Sequence, residues 1–333
     1  MPEASRPVLI GIAGTSDISD SLAEAARQTG CCKLSAVYSR SEARGAAFAQ
    51  KHGIPLCFSD FASFIGSGAL DAVYLASPNF LHYPQTLAAL ESGRHVLAEK
   101  PVAINAAQAG AMFARAKKKG LVLLEAIRPV FDPFLQVVSE NLPRIGFIRR
   151  ATFEFCQHLS RYDRFKAGER IDAFDASLGN ASLTDLGVYG LHCCLSLFGR
   201  PANIHAGASF LPGGMEAAGT MLLDYETMQA TVSYSKVMDS VFPSMIQGEE
   251  GTITFEPLNQ PAYVSLHHRG RQVEKLPFVP VENNMVHELR AFCRCVRHEE
   301  SPEAYQAQSM QVMKIMDEAR RQTGIDFGGH EAL

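Results

Sequence analysis

The chain has 333 residues, of which 47% are hydrophobic and 20% charged, and its formal net charge is −4. This length allows about two domains with sizeable cores, and the small net charge excludes an extended field for nucleic acid or a polybasic membrane face. No apolar run approaches the roughly 18 residues of a membrane span, and Met1 to Pro7 lacks the apolar core and cleavage site of an export signal, so a cytoplasmic location is expected.

Val8 to Ala13 reads as a short apolar strand, followed by Gly14-Thr15-Ser16-Asp17-Ile18-Ser19 and a helix through about Gln28 that stops at Gly30. Strand, tight turn and helix is the setting of a Gly-x-Gly-x-x-Gly phosphate loop. Gly14 fits its first position, while Ser16 and Ser19 replace the other two glycines. Small residues still let a backbone approach a pyrophosphate at a helix N-terminus; a generic strand-to-helix turn gives the same pattern. Leu34 to Tyr38 is the second strand, ending in Ser39-Arg40-Ser41, with a helix to about His52. An acid after this strand would bind the ribose 2′-hydroxyl of NAD, whereas an arginine accommodates the 2′-phosphate of NADP. Arg40 stands there without an acid, which favours NADP(H) over NAD(H); a solvated residue opening a helix is the alternative.

Leu56 to Phe58 is a third strand, with Asp60 as the cap of a short helix. Ala72 to Ala76 is the fourth, ending in Ser77-Pro78-Asn79, and a helix from about His82 reaches Ser92. In His95-Val96-Leu97-Ala98-Glu99-Lys100-Pro101 a buried strand runs into an acid, a base and a proline. Proline disfavours helix at Lys100, so the Glu99-Lys100 pair sits at the strand end. Carboxyl ends of strands form the ligand crevice of open α/β sheets. A lysine there can do proton chemistry; an ordinary surface lysine is the alternative. A helix from Ala106 to Lys119 and a sixth strand, Leu121 to Ala126, complete an α/β pattern, a doubly wound and mostly parallel sheet.

The pattern changes after Ala126, giving a first domain at 1–126 and a second at 127–333. Phe131 to Asn141 is expected as a helix capped by Asp132, and Phe147 to Gln157 as a strand. His158 to Asn180 is long and polar, as functional loops are. Seven strands are then expected: Ile204 to Phe210, Thr220 to Tyr225, Thr227 to Ser235, Ser244 to Gln247, Thr252 to Glu256, Ala262 to His268 and Gln272 to Leu276. Hairpin-length links make this α+β domain a large, mostly antiparallel open sheet. Met228, Ala230, Val232 and Tyr234 give one of its faces apolar area, which suits a homodimer or homotetramer paired through the sheet. Helices from Glu282 to Arg297 and Pro302 to Thr323 close the chain, the last able to pack back on the first domain.

Ser182 to Phe198 is apolar nearly all round and reads as a buried helix. Asp185, Tyr189 and His192 fall at i, i+4 and i+7 and share one face, where buried polar groups need partners. That stripe either meets polar loops or lines a site, in which a tyrosine beside an acid can polarise a substrate oxygen and exchange its proton. Tyr162 and Lys166 match a Tyr-x-x-x-Lys pair, but in an irregular loop outside the nucleotide domain, which argues against that catalytic role. No Cys-x-x-Cys occurs among the eight cysteines and no His-Glu-x-x-His among the 11 histidines, so reduced thiols and no protein-held metal are expected.

Taken in order, these motifs resemble those of the Gfo/Idh/MocA oxidoreductases, nearest the branch of dimeric dihydrodiol dehydrogenase and glucose–fructose oxidoreductase. The resemblance is carried by Ile10 to Ile18, Ser77-Pro78-Asn79 with His82, Gly93 to Pro101, Leu124-Glu125-Ala126, Ser160 to Lys166, and Asp185 to Tyr189. It implies a Rossmann domain holding NAD(P) and a second domain for substrate and oligomerisation. It also implies hydride transfer between nicotinamide C4 and a secondary alcohol or carbonyl of a sugar, cyclic polyol or dihydrodiol. Lys100 takes the catalytic-lysine position, Tyr189 or Lys100 handles the proton, and Asp185 orients them. The cofactor set is Gly14, Thr15, Ser16, Ile18, Ser39, Arg40, Ser77, Pro78, Asn79, His82, Glu99 and Lys100; the substrate set is Arg128, Arg161, Tyr162, Asp185, Tyr189 and His192. A cis Lys100–Pro101 bond is expected. Two departures stand out: Ser16 where most relatives have glycine, and Gly179-Asn180 for the usual Gly-Gly. A cofactor-binding regulator without turnover and a redox-assisted glycosidase remain as other readings.

Overall fold

We describe a computed structural model of the chain over residues 6–270 and 273–328. Six parallel strands come first: β1 (Val8–Ala13), β2 (Cys32–Tyr38), β3 (Leu56–Phe58), β4 (Ala72–Leu75), β5 (His95–Glu99) and β6 (Leu123–Ala126). Between them run α1 (Asp17–Thr29), α2 (Glu42–His52), α3 (Phe61–Gly66), α4 (Asn79–Glu91) and α5 (Ala106–Lys119). The strand order is β3-β2-β1-β4-β5-β6. β1, β4 and β5 are buried along nearly their whole length, as expected of strands covered on both faces. Helix starts follow local chemistry: the Asp60 and Asn105 side chains accept the N–H groups of Ser63 and Gln108 at 2.7 and 2.8 Å. α4 begins at Asn79, three residues before the expected start, because Pro78 sets the entry to the helix.

The following segment holds α6 (Arg128–Phe131), α7 (Phe134–Asn141), β7 (Ile148–Cys156) and α8 (Tyr162–Lys166). The single helix expected from Phe131 is split, and the Asp132 carboxylate accepts the Phe134 N–H at 3.1 Å at the break. The segment expected as one helix from Ser182 is a π turn at Leu183–Gly187 followed by α9 (Val188–Phe198). Strands β8 (Asn203–Phe210), β9 (Glu216–Asp224), β10 (Gln229–Ser235), β11 (Ser244–Gly248), β12 (Gly251–Glu256), β13 (Tyr263–His268) and β14 (Val273–Lys275) follow. Gln272, expected to open the last strand, lies outside the described residues. The helices α10 (Met285–Val296) and α11 (Glu303–Thr323) come last. Among the described residues no helix is long and apolar enough to cross a membrane.

Two compact units result: Met1–Ala126 with Glu282–Ala307, and Ile127–Val281 with Gln308–Leu333. In the second unit the eight-stranded sheet runs β14-β13-β12-β11-β7-β10-β9-β8. Its β7–β10 pair is parallel and the other pairs are antiparallel. Met228, Ala230, Val232 and Tyr234 are buried, and the face they share packs under the helical segment of the same unit. A Cβ at Gly190 would stand 2.6 Å from Val232, and one at Gly187 2.8 Å from the Tyr234 ring. The apolar stripe expected to serve assembly therefore serves the unit's own core.

Gly219 meets the same tyrosine from β9, where an added Cβ would lie 2.5 Å from Tyr234 Cζ. Gly219→Ala is expected to lower stability by about 1–3 kcal/mol in urea unfolding, as overpacking does. Gly207→Ala on the neighbouring strand, where nothing lies within 4 Å of the new methyl, is expected to leave the midpoint nearly unchanged.

Candidate active site

Parallel strands end on one edge of their sheet, and β2, β1, β4 and β5 are consecutive in the first unit. Their ends bring together Ser39 and Arg40, then Gly14, Thr15 and Ser16, then Ser77, Pro78 and Asn79, then Glu99 and Lys100. This edge, where the order switches between β1 and β4, is the ligand crevice of doubly wound sheets. Gly14 adopts φ +126°, and a Cβ there would stand 2.7 Å from the Ala76 carbonyl at the end of β4. Only glycine lets the turn pass so close. Ser16 has φ −90° and ψ 174° and precedes α1, a conformation ordinary for any L-residue. The serine that replaces a glycine there therefore adds no backbone strain. A helix N-terminus is where backbone N–H groups meet an anion, and here that of α1 lies beside the half-buried Thr15 and Ile18. Of the two acids in that first turn, Asp20 is held by Lys51 and His52 at 2.8 and 2.5 Å.

Ser39 is buried and accepts the Ser41 N–H, while Arg40 is exposed. Ser77 Oγ donates to Gln85 Oε1 at 2.6 Å. His82 is fully buried, with its ring nitrogens 2.9 Å from the Pro101 carbonyl and 3.0 Å from the Ser77 carbonyl. Burial lowers its pKa, against the pull of those two carbonyls. Its ring thus ties the end of β4 to the segment after β5. The Lys100–Pro101 bond is cis, as expected. Glu99 accepts the Tyr74 hydroxyl and the Lys100 N–H, and the buried Glu125 accepts the Val102 N–H at 3.0 Å. Lys100 itself is half-buried.

In the second unit the π turn alters the expected stripe. Its extra residue rotates what precedes it by about 100° relative to an α-helix. Asp185, Tyr189 and His192 accordingly meet different elements. Asp185 Oδ2 lies 3.5 Å from Lys236 Nζ just beyond β10, Tyr189 packs edge-on against Phe155 of β7 at 5.2 Å, and His192 Nδ1 is 3.2 Å from Gln308 Nε2 of α11. Asp185 is 34% exposed, whereas Lys236 is fully buried. Lys236 was not anticipated from sequence; its only signal is a lysine closing the apolar alternation of β10. Its ammonium also donates to the Ala173 carbonyl at 2.8 Å and sits over the Phe174 ring at 5.6 Å.

Those contacts anchor the 158–180 segment. Tyr162 stacks with Phe165 and lies 5.4 Å from Phe174, Arg161 is exposed, and Arg128 is half-buried at the start of α6. Lys166 pairs with Asp163 at 2.7 Å. Gly179 takes a left-handed φ of +79°, and Asn180 Nδ2 reaches back to the Asp172 carbonyl at 2.7 Å. Glu216 accepts the Leu183 N–H at 2.8 Å beneath the π turn. Burial pushes its carboxyl up to about 7, against the pull of the Leu183 amide, the Tyr234 hydroxyl and Lys236.

Residues 8–126 match the Gfo/Idh/MocA model described as "Oxidoreductase family, NAD-binding Rossmann fold", and residues 143–254 match the Gfo/Idh/MocA C-terminal domain. The chain is 37% identical over 327 residues to scyllo-inositol 2-dehydrogenase (NADP(+)) of Bacillus subtilis, covering 98% of this chain and 100% of that protein. It is 28% identical over 306 residues to trans-1,2-dihydrobenzene-1,2-diol dehydrogenase of Mus musculus, covering 88% and 89%. In fold it is similar to a 3-ketoreductase from Actinomadura kijaniata, solved in complex with NADP and TDP-benzene, with a TM-score of 0.85 and 23% identity over 95% of this chain and 98% of that one.

Glu216 gives the π turn a pH dependence. A carboxyl raised from 4.5 to about 7 binds its proton more tightly in the folded state, so its contribution to stability is complete below about pH 4.5 and is lost as pH rises to about 7. Glu216→Gln, which keeps a neutral acceptor for Leu183, is expected to flatten the fall in urea midpoint between about pH 5 and pH 7. An unchanged slope in the variant removes Glu216 as its source.

Proposed function

The chain belongs to the Gfo/Idh/MocA oxidoreductase family, and from that membership we propose an NADP-dependent dehydrogenase or reductase acting on a secondary alcohol or carbonyl of a sugar, cyclic polyol or dihydrodiol. The observation that carries this reading is the convergence of four strand ends around Gly14, with Arg40 and no acid after β2. Glycine at position 14 lets the turn pass against the Ala76 carbonyl and lead into α1, whose N-terminus faces the crevice as a dinucleotide pyrophosphate requires, so the residues present fit a dinucleotide. The Bacillus subtilis relative, an NADP(+) enzyme at 37% identity, supports the cofactor.

In this reading Gly14, Thr15, Ser16 and Ile18 cradle the pyrophosphate and Arg40, beside Ser39, holds the 2′-phosphate. Ser77, Pro78 and Asn79 line the way to Glu99 and Lys100. His82 acts by positioning the Ser77 and Pro101 carbonyls rather than by touching the dinucleotide. The bound nicotinamide supplies the hydride acceptor. Lys100 Nζ and Tyr189 Oη handle the substrate hydroxyl proton. Asp185, held by Lys236, takes the orienting role. Arg128, Arg161, Tyr162 and His192 belong to the substrate side. The first domain thus serves the cofactor and the second the substrate. Assembly as a homodimer or homotetramer uses the eight-stranded sheet through the face opposite Val232 and Tyr234, where Thr220, Leu222, Thr231 and Ser233 are accessible.

Tyr189→Phe and Lys100→Met are each expected to cut kcat by about 10²-fold or more, the usual scale of general acid–base help. The assay follows NADPH absorbance with inositols, aldoses and trans-diols. An unchanged kcat for Tyr189→Phe removes the tyrosine from the mechanism, and cofactor binding without turnover across the panel replaces the enzyme with a regulator. Arg40→Ala is expected to raise KM for NADP by about tenfold, a loss of about 1.4 kcal/mol, while KM for NAD stays level.

A further inference from the structure

Three thiols from opposite ends of the chain meet in the first unit, away from the strand ends that carry the proposed activity. Cys31 lies in the turn after α1, Cys32 opens β2, and Cys293 sits on α10. Their Sγ atoms all lie within 4.8 Å of one another. Sequence spacing argued against a protein-held metal because it looks for ligands close together in the chain. Here the fold supplies the spacing: α10 brings Cys293 to the Cys31-Cys32 pair.

We propose that Cys31, Cys32 and Cys293 bind one thiophilic metal ion, of which Zn2+ is the type. A metal with bonds of about 2.3 Å to three sulfurs holds them about 3.8–4.0 Å apart, within the observed limit. An all-sulfur set without carboxylate or imidazole selects soft or borderline cations over Mg2+ or Ca2+. The frame around the cluster is already fixed. Arg297 donates to the Cys31 carbonyl at 2.9 Å and to the Arg6 carbonyl at 3.2 Å, and Asn283 Nδ2 donates to the Ser21 carbonyl at 2.7 Å. Thr29 Oγ1 stands 3.7 Å from Cys32 Sγ, and Cys31 Sγ is 3.8 Å from the Leu289 carbonyl. The Leu289 carbonyl accepts from the Cys31 thiol, a bond given up when the metal takes the thiolate.

Cys32 and Cys293 are buried, whereas Cys31 is half-buried and leaves an approach for the ion. Binding replaces three thiol protons by one divalent cation, leaving one net negative charge with the Arg297 guanidinium beside it. Water from the Cys31 side can fill the fourth position.

Full-length protein, reduced and stripped with a chelator, is titrated with Co2+ alone and with Zn2+ against a chromophoric chelator. About one equivalent per chain is expected, with thiolate-to-cobalt charge-transfer absorption and proton release. Cys31→Ser and Cys293→Ser are each expected to weaken Zn2+ by more than about 100-fold, beyond the loss of an outer partner, and Cys57→Ser, at an exposed thiol outside the cluster, to leave it unchanged. The half-buried position of Cys31 lets its serine variant keep the fold, as its urea midpoint checks. No stoichiometric uptake by the reduced wild type, or uptake that Cys31→Ser leaves intact, overturns the site. Neither outcome depends on turnover.

Discussion

A polar group withdrawn from water must find a partner, at a cost of several kcal/mol if it fails, and the layout of both units follows from meeting that demand. In the second unit the buried Lys236 ammonium is met by the Asp185 carboxylate, the Ala173 carbonyl and the Phe174 ring. These contacts anchor the long polar segment and set where Asp185 points. Glu216 does the same for the π turn, taking the Leu183 amide, while Ser182 Oγ donates to the Ala217 carbonyl at 2.8 Å. In the first unit His82 and Glu125 satisfy groups around Pro101 and Val102. Arg94 takes the carbonyls of Ile65, Ser67 and Leu70, and so closes the turn before β4. The residues proposed to do chemistry are thus held by neighbours chosen for burial.

Much of the first unit was legible because its signals are local. β1, β5 and α5 span the residues that their apolar runs, caps and prolines indicate. Parallel strands buried on both faces read as continuous apolar stretches, and a short cap such as Asp60 marks its own helix. The candidate residues after β1, β2, β4 and β5 were legible for the same reason: each follows a strand, and strand order then gathers them. The π turn was not legible. Leu183 and Leu186 keep the helical spacing that α9 continues, and what distinguishes the turn is the hold of Glu216 and the close approach of Tyr234 from distant strands. Lys236 and Cys293 escaped notice likewise, since their meaning rests on partners far along the chain.

Family membership and the site's particulars contribute differently. Membership fixes the architecture and the kind of reaction. The particulars are this chain's own: Arg40 follows β2 without an acid, Ser16 holds a conformation that does not require glycine, and Asn180 is tied to the Asp172 carbonyl. Asn180 spends its side chain on the segment that carries Arg161 and Tyr162, so it shapes that segment rather than the reacting atoms.

The division of the chain has a consequence for its birth on the ribosome. The first unit takes Glu282–Ala307 as well as Met1–Ala126, and α10 packs on α1. In the second unit β7 pairs with β10 and β11, both made well after it. Neither unit can therefore close behind the advancing polypeptide. The side of α1 that α10 covers waits until nearly the whole chain has emerged, and the central strand of the larger sheet waits for β10 and β11, complete only at Gly248. A nascent chain of this design spends most of its synthesis with adhesive surfaces exposed, which makes it a client for chaperones that hold such surfaces apart.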